Sequence, residues 1–161
     1  MANKIYQPQE TAVTWLSSGG TETFTPTSLA TVSGRQGAHH DFTTGSVGRR
    51  FAFRAWIKPG ATRVVGEQVD VYLKTSDGTH HDNDDGTTDL ALSSVNKIRN
   101  LLLIGVIQID EDAAVEMVTS GEVLLLHRYA APVFYNRTAN TLSATAGDFG
   151  FSMTPVPDEV Q

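Results

Sequence analysis

The chain has 161 residues, with 18 acidic against 12 basic side chains and a formal net charge of −6 with histidine neutral. That length fits one domain, and the acidic balance lacks the basic footprint a general nucleic-acid binder needs to meet phosphates. Cysteine is absent, which excludes disulfide scaffolds, thiolate metal sites, iron–sulfur clusters and cysteine nucleophiles. The share of hydrophobic residues, 40%, is that of an ordered chain, not a disordered one.

The opening Met1-Ala2-Asn3-Lys4-Ile5-Tyr6-Gln7-Pro8 has no apolar run after Lys4, so no signal peptide is expected. The longest apolar stretch, Leu101 to Ile104 and on through Gly105 to Ile107, falls far short of the roughly 20 residues a membrane helix needs.

Taken along the chain, the informative period is 2. Ala12–Leu16 and Glu22–Val32 are the first predicted strands, with Ser17-Ser18-Gly19-Gly20 and Ser33-Gly34 as turns. Arg50–Ile57 alternates cleanly: Phe51, Phe53, Ala55 and Ile57 share one face, and Arg50, Ala52, Arg54 and Trp56 the other. Pro59-Gly60 stops it. Gln68–Ser76 repeats the pattern, with Val69, Val71 and Leu73 opposed to Asp70, Tyr72 and Lys74, and Asp77-Gly78 turns the chain. Asp89 is placed to cap a short helix carrying Leu92, Val95 and Ile98, and 110–117 reads as another single turn. Leu101–Gln108, Val115–Thr119, Glu122–Tyr129, Pro132–Tyr135 and Phe149–Thr154 complete the predicted strands, with Ser120-Gly121, Asn136 and Gly147-Asp148 between them.

Many short strands with too little helix for parallel crossovers predict an all-β fold: an antiparallel β-sandwich, jelly-roll-like, with extended N- and C-terminal tails. An immunoglobulin-like topology is the alternative. The expected organisation is an arm over residues 1–11, a sandwich over 12–152 and a tail over 153–161.

The most polar segment is Asp77–Asp89. Asp82, Asp84, Asp85 and Asp89 are its cation candidates, because calcium takes six to eight oxygen ligands. The EF-hand register fails. Counting from Asp82 puts Gly86 at the fifth position; counting from His81 puts it at the sixth, but the first ligand is then His and the twelfth position is Leu92. A solvated loop is the expected reading. Two triplets, His39-His40-Asp41 and His80-His81-Asp82, carry metal-ligating types. Neighbours on a strand point to opposite faces, so neither triplet is expected to chelate. His127 reads as a packed or interface histidine. No nucleophile elbow, phosphate loop or dinucleotide fingerprint is present, and the acids Asp110, Glu111 and Asp112 read as a solvated turn. No enzyme activity and no cofactor are expected. Trp15, Trp56, Tyr72, Tyr129 and Tyr135 lie in predicted strands; on an open face they would suit sugar stacking, while at least half are expected in the core.

The stretches Phe53-Arg54-Ala55-Trp56-Ile57-Lys58-Pro59 and Val69 through Thr79 are similar to segments of known virion proteins, as is the ending from Pro132-Val133-Phe134-Tyr135-Asn136 through Leu142-Ser143-Ala144-Thr145 to Phe151–Gln161. Over about two-thirds of its length, the chain resembles the capsid decoration, or cement, proteins of tailed bacteriophages. The resemblance implies a β-sandwich on the capsid exterior, often a trimer, holding neighbouring major capsid protein subunits together against the pressure of packaged DNA. It brings no catalytic residues. On this reading the polar ends clamp neighbours, with Lys4, Ile5, Tyr6, Pro8, Pro155, Val156 and Pro157 as the interface candidates. The competing function is a carbohydrate-binding sandwich using Trp15, Trp56 and Tyr72.

Overall fold

The structure is a computed structural model that describes residues 11–42, 49–110 and 115–156. Its strands are β1 (Val13–Leu16), β2 (Glu22–Thr23), β3 (Ser33–Gln36), β4 (His40–Asp41), β5 (Arg50–Ile57), β6 (Gln68–Ser76), β7 (Leu90–Ala91), β8 (Leu102–Gln108), β9 (Met117–Leu124), β10 (Tyr129–Asn136) and β11 (Phe149–Pro155). They form two sheets, in the orders β2-β1-β11-β5-β9 and β7-β3-β10-β6-β8. The long pairings are all antiparallel; β1 with the two-residue β2 is parallel. Setting aside the short β2, β4 and β7, the first strand pairs with the last, and the chain changes sheet at every step but β6 to β8, as a double Greek key does. The jelly-roll expectation therefore holds.

The alternation read from the sequence decides what each sheet buries. Phe51, Phe53, Ala55 and Ile57 of β5 and Val69, Val71 and Leu73 of β6 face one another in a single core with Trp15, Phe24, Phe134 and Phe151. Burying a side chain of this size stabilises by roughly 1.5–3 kcal/mol. Rings pack edge to face: Phe24 meets Phe134 at 4.8 Å between centroids, and Trp15 meets Phe151 at 5.6 Å. The Trp15 indole also donates to Ala38 O at 2.7 Å.

The far face of β6 is buried too. Tyr72 and Lys74 lie under residues 77–101, where Tyr72, Leu101, Val133 and Tyr135 make a second, smaller apolar cluster with Leu92 and Ile98, while Asp70 is covered by Arg137. The long connection from β6 to β8 thus forms a third layer over one sheet.

Several expectations change. Glu22–Val32 is not one strand: β2 ends at Thr23, Pro26 interrupts the run, and Ser28 and Val32 both take φ of 53°. Ser33-Gly34 opens β3 and is not a turn. Ser120-Gly121 does not divide two strands; β9 runs through it, and Gly121 gives the Phe53 ring room at a distance a Cβ would leave at 3.0 Å. The segment after Asp89 is a 3-10 turn over Val95–Ile98, capped by Ser94, whose hydroxyl accepts from Asn96 N. Residues 111–114 of the expected turn at 110–117 lie outside the described residues, and Met117 begins β9. The tail does not start at residue 153: Met153 is fully buried in β11, opposite Val13 and Phe53.

Candidate functional site

The acidic loop is an anchor. Asp82 accepts from Thr75 N at 2.6 Å and Thr75 Oγ1 at 2.9 Å. Asp85 accepts from Ser93 Oγ at 2.5 Å and Ser93 N at 3.2 Å. Asp89 takes Arg35 through Nε at 2.8 Å and Nη2 at 3.0 Å, plus the Thr25 hydroxyl at 2.5 Å. Asp84 pairs with Lys97. The four cation candidates are thus spent on five different residues, none of them shared. Among the described residues no three His, Asp or Glu side chains gather to hold a metal. Asp77 accepts from the backbone N–H groups of His80 and Thr79, each at 2.7 Å, and these bonds hold its carboxyl well below the usual carboxylate range.

Under this loop sits Lys74, fully buried on the outward face of β6. Its ammonium donates to Gln36 Oε1 at 3.0 Å, Asp85 O at 2.6 Å and Gly86 O at 2.7 Å, so all three of its protons are used. Gln36 Nε2 in turn donates to Gly86 O and Thr88 O. Burial pushes the Lys74 pKa down to about 8, against the pull of the Asp85 and Asp82 carboxylates and with a small push from Lys97. This buried charge fastens the loop to both β3 and β6.

Beside it opens a cleft of about 340 Å³ lined by His39, Gly78, His81, Thr87 and Tyr129. It joins one histidine from each sequence triplet: the His39 and His81 rings lie 5.7 Å apart between centroids at 47°. His39 Nε2 is buried and has no hydrogen-bond partner among the described residues. Burial, then Lys74 and His81, lower its pKa to about 4. The other triplet members serve locally: His40 Nδ1 bonds Glu22 Oε1 at 2.8 Å, and His80 Nδ1 bonds Asp77 Oδ2 at 3.1 Å. His127, expected in a strand, is exposed beyond the end of β9.

Among the described residues the strand aromatics give no open platform. Trp15, Tyr72 and Tyr135 are buried. Trp56 is partly covered and lies over Gly150, its cross-strand partner, where a Cβ would collide with the indole. Tyr129 is half-buried, with the Arg128 guanidinium 4.8 Å from its ring centre.

The clearest unsatisfied surface is the edge formed by β8 and β9. Each has one long-strand neighbour in its sheet, β6 and β5 respectively, and each is otherwise an outer strand. Leu102 is 50% exposed, Leu103 51%, Val118 40% and Leu124 56%, with Leu126 at 66% just beyond. A groove of about 660 Å³ continues the edge between Val106 and Gln108 on one strand and Met117 and Val118 on the other, with Glu116 beside it. Gly105 makes the close approach possible, since a Cβ there would lie 2.8 Å from Thr119 Oγ1. The sequence signal for this edge was the loss of alternation at Leu101–Ile104 and again at Val123–Leu126.

Of the interface candidates, Lys4, Ile5, Tyr6, Pro8 and Pro157 lie outside the described residues. Pro155 is buried in β11 opposite Phe51, and Val156 N donates to Arg50 O at 2.8 Å, so these two belong to the sandwich. Comparison with protein-family models and with curated proteins found no match.

Proposed function

We propose that the chain is a non-catalytic adhesive subunit, a decoration protein of a tailed-phage capsid that bridges neighbouring major capsid proteins from outside and works as a homo-oligomer, a trimer for preference. The observation that carries this reading is the β8–β9 edge, where two adjacent sheet edges expose large apolar side chains together. Natural monomers blunt such edges with charge, bulges or cover, because open ladder groups and apolar surface invite pairing. Here exposed leucines and valines remain on them, beside a bulge in the β6–β8 pairing and the charges Glu116 and Glu122. The acidic loop and Lys74 make structural bonds that hold the fold.

The physics is mass action. A subunit that binds the assembled lattice and not its separated parts stabilises the lattice by its own binding free energy. The carbohydrate-binding reading needs at least two aromatic rings coplanar on an open face, and Trp15 and Tyr72, being buried, do not supply them. Co-sedimentation of the purified chain with capsids of the phage whose genome encodes it tests the proposal. Saturable binding at a fixed ratio to the capsid protein supports it, with Leu124→Glu weakening that binding. Absence of binding, together with retention on a glycan array, would favour the sugar-binding alternative.

A further inference from the structure

Each His-His-Asp triplet fails as a chelate by itself, yet the fold sets His39 of one against His81 of the other across a cleft. Both backbones are fixed from outside the cleft. His39 N donates to Thr87 O at 2.9 Å, and His81 forms a bridge with Ser76 at the end of β6. The two rings therefore meet without waiting for a loop to order. His39 Nε2 is a buried nitrogen without a partner among the described residues, so it is left to meet an ion or a water.

We infer that His39 and His81 form a two-histidine site for a divalent transition-metal ion of the zinc, copper or nickel class. Imidazole nitrogen suits these ions, whereas calcium and magnesium select oxygen. Zinc lies about 2.0–2.1 Å from each nitrogen, so two rings on one tetrahedral ion have centres roughly 5–6 Å apart. The observed separation of 5.7 Å falls in that span. The charge of Lys74 bears on His39 and opposes a cation there, so the imidazole nitrogens themselves must hold the ion. The Lys74 ammonium is turned onto Gln36 Oε1 and the two backbone carbonyls. No third protein ligand converges among the described residues, so water or an incoming ligand completes the shell. The ion would tie the long β6–β8 connection to the segment leading into β4.

Calorimetric titration of the full chain with zinc chloride near neutral pH tests this. The expected result is one ion per chain, with affinity reduced about tenfold or more in His81→Ala and in His39→Gln and unchanged in His80→Ala. Zinc should also raise the melting temperature of the wild type and not of His81→Ala, since an ion that binds only the folded form stabilises it. His81 is exposed, so its removal leaves the core intact and this variant carries the test even if His39→Gln unfolds. No heat at millimolar zinc overturns the proposal, as does unchanged binding in His81→Ala or loss of binding in His80→Ala.

Discussion

Val32 is a β-branched residue held at φ of 53°, where its side chain crowds the backbone, and it is 63% exposed, so packing contributes little in return. Val32→Asn keeps the turn with a residue that tolerates this conformation and should stabilise the protein by about 1 kcal/mol, read from the urea midpoint. His39 makes a pH signature. Its folded pKa of about 4 lies below the ordinary 6.5, so the unfolded chain binds more protons in the window between them. Stability should fall as pH drops from 6.5 toward 4, and the midpoint of His39→Gln should fall less steeply over that range. Single residues were the least legible scale in the sequence. The types in the two triplets were visible, but the meeting of His39 with His81 depends on long-range packing that no local spacing encodes. The sequence set Lys74 opposite Val69, Val71 and Leu73 and went no further, because alternation says which face a residue takes and not whether a loop later covers that face.

At the scale of elements, legibility followed periodicity. Arg50–Ile57 and Gln68–Ser76 match β5 and β6 residue for residue, because each alternates against a buried face and ends at a turn former. The misreadings came where turn chemistry was trusted over partners. Ser33-Gly34 and Ser120-Gly121 are small and polar, yet both sit inside strands, with Gly34 packed against Leu92 and Tyr135 and Gly121 against Phe53. Pro132 lies inside a central strand, where a missing donor is normally costly. It falls where β10 passes from β3 to β4 as its partner, so the gap in the ladder is already there. Two substitutions probe the elements. Gly150→Ala drives a Cβ into the Trp56 indole across β11 and β5, and should cost about 1–3 kcal/mol by denaturant unfolding. Lys74→Met takes the ammonium from three acceptors, leaving Gly86 O only Gln36 Nε2, and should cost roughly 2–3 kcal/mol. Hydrogen exchange should then speed up in residues 82–93 ahead of β5 and β11, because the loop loses its peg.

For the whole molecule, composition and strand count led to an all-β sandwich, and the strand order of the two sheets is that of a jelly roll. What covers the outside is written in surface pattern, and the exposed leucines at the β8–β9 edge became visible as a patch only when the two strands were set side by side. Leu124→Glu should leave monomer stability within about 0.5 kcal/mol, because the side chain is mostly in solvent, while light scattering shows a loss of oligomer. The adhesive role is tested most directly by the temperature at which DNA-filled particles release their genome, measured with the protein present, removed and added back. Removal should lower that temperature, wild-type protein should restore it, and Leu124→Glu should fail to do so. A release temperature that stays the same whether or not the protein is bound would contradict the account.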